Sequence, residues 1–172
     1  MTHSANELQT LATKAARGAG FPPAQADLFG RACPLHLAQG GGAAPLIAAL
    51  ANPADSPILR LPLLMDDVLS AAAAMSGPIE LTLHNGDDTL AQSYAHLLPV
   101  AVQDQSIITR DAQHRLRITV DLSAKTCTAL PPRIIAPSEL LNRLETLAAR
   151  TYVPATDASR RTGAGAGLIE ND

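Results

Sequence analysis

Aromatic residues are scarce in this chain of 172 residues. They make up 2% of the sequence, tryptophan is absent, and the four that occur are Phe21, Phe29, Tyr94 and Tyr152. Alanine and leucine supply much of the apolar fraction, which reaches 47%. A broad aromatic sandwich is therefore disfavoured, and the short aliphatic side chains favour closely packed helices.

Charged residues are also few, at 17% of the chain, against roughly 25% in an average soluble protein. The net charge is −3, and the 13 basic residues are scattered along the sequence rather than grouped. A nucleic-acid-binding domain needs a basic patch or stripe that can neutralise phosphates. The sequence therefore argues against a nucleic-acid partner.

Long hydrophobic runs are missing as well. A membrane-spanning helix needs about 18 or more consecutive apolar residues. The two best candidates, residues 61–75 and 97–102, either carry Asp66 and Asp67 or are too short. The opening residues MTHSANELQT have neither the positive start nor the apolar core of a secretory signal. We expect no membrane association and a cytoplasmic location.

The usual metal and nucleophile motifs are absent. The five histidines show no H-x-x-x-H or H-E-x-x-H spacing, and there is no C-x-x-C, G-x-S-x-G or S-x-x-K. The sequence predicts no metal and no cofactor, although a zinc site assembled across the fold stays open. In a reducing compartment the two cysteines, Cys33 and Cys127, are expected to be reduced thiols.

Two small clusters have a functional and a structural interpretation. Cys33 and His36 would share one face of a helix, where the imidazole could lower the thiol pKa; the alternative is a buried cysteine beside a capping histidine. Four aspartates form two adjacent pairs that could hold a hard cation or act as acid and base, or could simply be solvated. These residues are Asp66, Asp67, Asp87 and Asp88.

The first helix has the clearest sequence pattern. Ser4 and Glu7 have the S-x-x-E spacing of a capping box. Gly18 and Gly20 are expected to end the helix. Its apolar stripe repeats at intervals of three and four residues and consists of Leu8, Leu11, Ala12, Ala15 and Ala19.

The following helices are predicted from proline positions and composition. A second helix begins near Pro23, and Pro34 is expected to stop or kink it. PLIAALA predicts a short third helix. The segment LPLLMDDVLSAAAAM looks helical, but its first half could also be a strand. The segment TLAQSYAHLL predicts a further helix, and PSELLNRLETLAAR predicts the last strong one, with Ser138 as its N-cap.

Alternating patterns predict strands in the middle of the chain. Ile79, Leu81 and Leu83 alternate with polar residues, as in a half-buried strand. VAVQ or SIIT, the polar turn RDAQH and then RLRITVDL predict a hairpin. The order of helices, strands and helices indicates an α+β fold, in which helices from both chain ends pack on a small, mostly antiparallel sheet from residues 78–84 and 100–130.

Length predicts a single domain over residues 1–172, since domains usually contain about 100–150 residues. Within it we distinguish a helical N-terminal part, residues 4–52, and a mixed α/β part, residues 57–172. The oligomeric state and the strand order are not specified by any pattern in the sequence.

The C-terminal segment TYVPATDASRRTGAGAGLIEND has two interpretations. It could be the end of a last helix, with Gly163 stopping it after Arg161. Alternatively, its glycines could turn backbone amides toward one point and form an anion or partner site. The residues of that candidate site are Ser159, Arg160, Arg161, Gly163, Gly165 and Gly167. A dinucleotide fingerprint is excluded because no strand precedes these glycines.

The two ends of the chain carry a family resemblance. NELQTLATKAARGAG and RTYVPATDASRRTGAGAGLIEND resemble the signature ends of an uncharacterised bacterial family, domain of unknown function thirty-seven twenty-six. The resemblance covers roughly a quarter of the chain. It implies a shared fold and supplies no activity, cofactor or catalytic residue.

Two classes of function remain open from the sequence. A non-catalytic accessory protein, which binds a protein partner or a small anionic ligand through its Arg/Gly-rich C-terminal segment, fits the poverty of catalytic motifs. A small-molecule metabolic enzyme would need a site assembled from dispersed His, Asp and Arg residues. Such an enzyme requires a concave pocket in which these side chains meet. We favour the accessory protein.

Overall fold

Helices pack against a small antiparallel sheet in this protein. The computed structural model describes residues 2–125 and 128–151. In chain order, its elements are β1 (Thr2–His3), α1 (Ala5–Ala19), α2 (Pro23–Ala38), α3 (Ala43–Ala49), α4 (Pro57–Ala74), β2 (Ile79–Thr82), α5 (Asp88–Ala95), β3 (Ala101–Arg110), β4 (Gln113–Asp121), β5 (Ile134–Ile135), α6 (Ser138–Ala148) and a 3₁₀ turn (Ala149–Thr151). The predicted α+β class is confirmed.

The main sheet has the strand order β2-β4-β3, and both pairings are antiparallel. Leu116 and Ile118 of β4 are buried, as the alternating pattern predicted. The predicted hairpin is present, and β3 includes SIIT and all of VAVQ except Val100. The turn of the hairpin consists of Asp111 and Ala112. Both residues have positive φ, which is the pattern of a type I′ turn. A second, two-stranded sheet pairs β1 with β5 and was not predicted.

The start of α1 follows the predicted capping box. The Glu7 amide donates to Ser4 Oγ at 3.2 Å, and the Ser4 amide donates to Glu7 Oε2 at 2.7 Å. Hydrogen bonds to Ser4 hold the pKa of Glu7 below its usual value. Gly20 is the C-cap with φ of 103°, whereas Gly18 lies inside the helix. The prediction that Gly18 ends α1 was therefore wrong, because Gly20 alone takes the left-handed conformation at this end.

Close helix contacts give α1 its place at the centre of the helical part. A Cβ added to Gly18 would lie 1.9 Å from the backbone carbonyl oxygen of Leu147 in α6. On the other side, a Cβ added to Gly30 in α2 would lie 1.9 Å from Thr13 Oγ1 of α1. The two glycines thus let α6 and α2 approach α1 more closely than any other residue would allow. The chain-end helices α1 and α6 pack against each other, as predicted, but the helices that pack on the three-stranded sheet are α4 and α5 from the middle of the chain.

Two predicted helix boundaries were wrong, the stop at Pro34 and the N-cap of α6. The expected stop at Pro34 does not occur, and α2 continues to Ala38; an internal proline removes one backbone hydrogen bond, and a well-packed helix can tolerate that loss. The segment LPLLMDDVLSAAAAM is helical up to Ala74, which confirms the helix prediction and not the strand alternative; Pro57 lies in the first turn of α4 and Pro62 lies inside it. Ser138 is the first residue of α6 rather than its N-cap, which is Pro137.

Most buried apolar side chains of the described residues form one largely aliphatic cluster, which also contains the rings of Phe21, Phe29 and Tyr94. Helices α4 and α5 contact the three-stranded sheet, and α2 contacts both α4 and α5. This arrangement places α4 between the sheet and the helical part. In residues 2–125 and 128–151, no helix has the length and apolar character that crossing a bilayer requires.

Candidate functional site

Helix α4 borders two clefts that together form the candidate site. Its start is fixed by Ser56, whose hydroxyl accepts from the Ile58 amide at 3.1 Å and donates to the Ala49 carbonyl at 2.6 Å. The inner stripe of α4 is buried and consists of Ile58, Leu61, Met65 and Val68. Apolar residues continue onto its outer side, where Leu63 is 63% exposed. A helix that is apolar on more than its inner face has surface left to bury.

The first cleft, which we call the polar cleft, lies between α4 and the chain that follows β2. Its volume is about 260 Å³. The residues that line it are Arg60, Leu63, Leu64, Asp67, Thr82, Leu83, His84 and Asp87. The fold therefore brings one arginine, one histidine and two aspartates from separate parts of the sequence around one cavity.

An ion pair fixes the arginine of the polar cleft. Arg60 Nε donates to Asp87 Oδ2 at 2.9 Å, and Arg60 Nη2 donates to Asp87 Oδ1 at 2.6 Å. Arg60 Nη1 donates to a second carboxylate, that of Asp55. The hydrogen bond with Asp87 is the main reason why the pKa of Arg60 is raised. Both edges of this guanidinium already pair with carboxylates, those of Asp87 and Asp55. The ion pair with Asp87 connects α4 to the start of α5.

The second cleft, which we call the apolar cleft, lies between α2, α4 and α5 and has a volume of about 270 Å³. Its lining residues are Leu28, Pro62, Met65, Asp66, Leu69, Tyr94, Leu97, Leu98 and Pro99. Apart from Asp66, these residues present mainly carbon surface. Asp66 is exposed and forms no ion pair with any residue of 2–125 or 128–151.

Tyr94 forms part of the wall of the apolar cleft. Its side chain is 1% exposed, and its hydroxyl has no hydrogen-bond partner in the described part of the chain. Burial is the main reason why its pKa is raised. The hydroxyl therefore stays protonated and neutral, and the ring contributes an apolar surface.

A buried polar network crosses from α2 to α5 outside both clefts. His36 Nε2 lies 3.0 Å from the Gly42 carbonyl oxygen, and Ser93 Oγ lies 3.4 Å from His36 Nδ1 and 3.3 Å from Gln39 Oε1. Burial lowers the pKa of His36. Ser93 is 1% exposed, so it has no access to a substrate, and the contact positions the two helices. The sequence could not have indicated the contacts of Ser93 with His36 and Gln39, because Ser93 lies far from both residues in the chain.

The Cys33 side chain is structural. It is a buried free thiol, and desolvation raises its pKa to about 12. Cys33 is 0% exposed, and only the thiolate is a good nucleophile, so both its burial and the direction of the pKa shift oppose a reactive thiol. The ring nitrogens of His36 contact Gly42 and Ser93 instead. The reactive-thiol interpretation is therefore wrong, and the interpretation as a buried cysteine is confirmed. Cys127 lies outside the described residues.

The four aspartates do not form one cluster. Asp66 faces the apolar cleft, while Asp67 and Asp87 line the polar cleft. Asp88 instead approaches His114, with 3.6 Å between Oδ2 and Nδ1. Over residues 2–125 and 128–151, no three His, Cys, Asp or Glu side chains are arranged to hold a metal ion.

The six tail residues proposed as a binding element all lie outside the described residues. They are Ser159, Arg160, Arg161, Gly163, Gly165 and Gly167. Their role, including the choice between helix end and anion site, stays a prediction. Sequence reasoning missed the two clefts because each is lined by residues from several elements, joined only by the tertiary fold.

Comparison with known proteins gave no match to a family model, a curated protein or a solved structure. The resemblance of the chain ends to an uncharacterised family therefore stays a prediction. The function has to be inferred from the geometry of the clefts alone.

Proposed function

We propose that this protein is a non-catalytic binding protein, and that its apolar cleft receives an apolar side chain of a protein partner. The observation that carries the proposal is a preformed cleft whose wall is carbon surface except for one carboxylate, Asp66. Apolar clefts with a few placed polar groups are the usual form of a binding site. The lone carboxylate then sets the orientation of what is bound.

The size of the apolar cleft favours a side chain over a cofactor. Clefts for drug-sized ligands measure about 300–1,000 Å³, and this one measures about 270 Å³. An aliphatic anchor that enters such a pocket excludes water from it, and this type of contact dominates protein interfaces. Met65 and Leu69 provide an adaptable floor, since methionine adjusts to different shapes.

The charge around the apolar cleft indicates which residue lies next to the aliphatic anchor in the partner. Asp66 and Asp67 are both exposed on the outer side of α4, next to the exposed Leu63. An apolar surface with acidic residues beside it complements a segment that carries a basic residue next to an apolar one. The proposed partner is therefore a protein segment with an aliphatic residue adjacent to lysine or arginine.

We expect Leu69→Asp, a change in the wall of the apolar cleft, to abolish retention of such a partner, because a charge would then lie in the apolar contact. Ile135→Asp is the matched control, since Ile135 is 75% exposed and lies on β5, away from α4. The measurement is a pull-down from native extract with wild type and both variants, followed by titration of the purified partner. Equal affinity of both variants for that partner would overturn the proposal, as would a partner that binds through an acidic segment.

A small-molecule enzyme is the second candidate. The polar cleft favours it, since Arg60, Asp67 and His84 line one cavity there. A metabolite screen by thermal shift would identify a ligand for this cleft. Turnover of that ligand by the wild type, lost in His84→Ala, would establish the enzyme instead of the binding protein.

The C-terminal segment forms a separate part of the proposal. If it is a binding element, Arg160→Ala with Arg161→Ala weakens association with an anionic ligand or acidic partner and leaves the melting temperature unchanged, because exposed arginines add little stability. If it ends a helix, Gly163→Ala instead destabilises the protein by about 1 kcal/mol. Titration and thermal melting of these variants distinguish the two. Equal binding by wild type and the double variant would show that the two arginines of the C-terminal segment do not form a binding element.

A cytoplasmic location also belongs to the proposal. Its support is the free thiol of Cys33, since oxidising compartments favour disulfides.

A further inference from the structure

A groove between α1 and α2 carries an excess of positive charge. Three of its side chains are cationic, and one is a carboxylate. Its lining residues are Gln9, Thr10, Thr13, Lys14, Arg17, Asp27 and Arg31. The chain as a whole is acidic, with a net charge of −3. The formal charge of the groove lining is therefore opposite in sign to the net charge of the chain.

Helical periodicity and one glycine build this groove. Thr10, Thr13 and Arg17 follow one another at three- and four-residue intervals and share a face of α1. Asp27 and Arg31 are four residues apart on α2, with Gly30 between them. Since Gly30 has no Cβ, Thr13 can approach the backbone of α2. The two rows of polar side chains are thus brought to opposite walls of one groove.

The groove offers both charges and hydrogen-bond donors. Arg31 has no ion-pair partner among residues 2–125 and 128–151, and the hydroxyls of Thr10 and Thr13 form no hydrogen bond within those ranges. Arg17 contacts Asp27 at 3.5 Å between Nη2 and Oδ1, with both side chains about half exposed. Such a loose surface pair is weak, so Arg17 can turn to another anion.

We propose that this groove binds a phosphoryl group that carries at least two negative charges. Its volume of about 530 Å³ lies within the range of small-molecule sites, about 300–1,000 Å³. Arginine, lysine and threonine are the side chains that bind phosphate oxygens through charge-assisted and hydroxyl hydrogen bonds. Asp27 limits the affinity, because its carboxylate repels the bound anion. The site is separate from the α4 clefts, so it can fail or succeed independently of the proposed partner binding.

The test uses the full chain and inorganic pyrophosphate in calorimetric titrations at low ionic strength. Arg31→Ala is expected to weaken binding by about fivefold or more, the effect of one charged hydrogen bond at a partly exposed site. Asp27→Asn is expected to tighten it. Arg117→Ala is the matched control, because Arg117 is exposed on β4 and likewise has no ion-pair partner in the described ranges. Each variant is first checked for an unchanged melting temperature.

A second arm distinguishes a soluble phosphate from a lipid headgroup. Vesicles of phosphatidylcholine with phosphatidic acid replace pyrophosphate and are compared with pure phosphatidylcholine. Binding in either arm that is weakened about fivefold or more in Arg31→Ala and unchanged in Arg117→Ala supports the site and identifies its source. Absence of saturable binding in both arms, or equal weakening by the two arginine variants, would overturn it. Leu69→Asp, which changes the apolar cleft and not the groove between α1 and α2, is expected to leave the pyrophosphate affinity unchanged.

Discussion

Gly18→Ala is expected to destabilise the protein by about 3 kcal/mol, the upper part of the range for steric overpacking of a core. The added Cβ would lie 1.9 Å from the carbonyl oxygen of Leu147 and 2.8 Å from its carbonyl carbon. Both atoms belong to backbone, which cannot move aside as a flexible side chain does. Helix α6 would have to shift away from α1, and the contact between Leu147 and the core would loosen.

The sign of this change makes the test informative. Alanine stabilises a helix by about 1 kcal/mol relative to glycine. If Gly18 were not in close contact with α6, Gly18→Ala would therefore stabilise the protein. Urea unfolding, followed by circular dichroism because the chain has no tryptophan, gives the free energy of unfolding. Gly42→Ala is the control, since nothing lies within 4 Å of its added Cβ and its φ is −83°. A Gly18→Ala variant as stable as wild type would contradict the close packing of α1 and α6.

Asp87→Asn is expected to cost about 2 kcal/mol, less than the loss for a fully buried ion pair because its partner is partly exposed. The Asp87 side chain is 4% exposed and that of Arg60 is 28% exposed. The substitution keeps the shape of the side chain but removes the charge that the guanidinium faces through two hydrogen bonds. Since Asp87 precedes α5 and Arg60 lies on α4, the junction between these helices should weaken.

Asp55→Asn provides the matched control for this prediction. Asp55 also pairs with Arg60, but its side chain is 62% exposed, and exposed pairs are typically worth about 1 kcal/mol or less. Urea unfolding should therefore separate the two variants clearly. An Arg60→Gln/Asp87→Asn double variant should lose less stability than the two single changes added together, as expected for groups in contact. Equal losses for Asp55→Asn and Asp87→Asn would contradict the assigned role of Asp87.

Local features of the fold could be predicted from the sequence. The capping box of Ser4 and Glu7 involves residues three apart, and the alternation around Leu116 reflects the pleat of one strand. Such patterns depend on neighbours in the chain, so they are visible without the tertiary structure. The close-contact role of Gly18 was missed because it depends on Leu147, a residue that only the fold brings near.

The candidate sites could be predicted less well for the same reason. Asp66 and Asp67 of α4 were noted as candidates. Their positions in two different clefts depend on the orientation of α4 relative to β2 and α5, which the sequence does not show. The basic groove was not recognised, because Arg17 and Arg31 appear as scattered charges until α1 and α2 lie side by side. The pairing of Arg60 with Asp87 likewise joins two segments that sequence spacing could not connect.

The pairing of β1 with β5 has a consequence for the order of folding. It joins Thr2 to Ile135, so a loop that contains nearly the whole described chain must close when these two strands meet. Contacts between distant parts of a chain form slowly because closing a long loop costs entropy. The β3–β4 hairpin, by contrast, closes across a two-residue turn. In native-state hydrogen exchange, the amides of Thr2–His3 should therefore open at much lower free energy than those of β4, and this small sheet should form last during refolding.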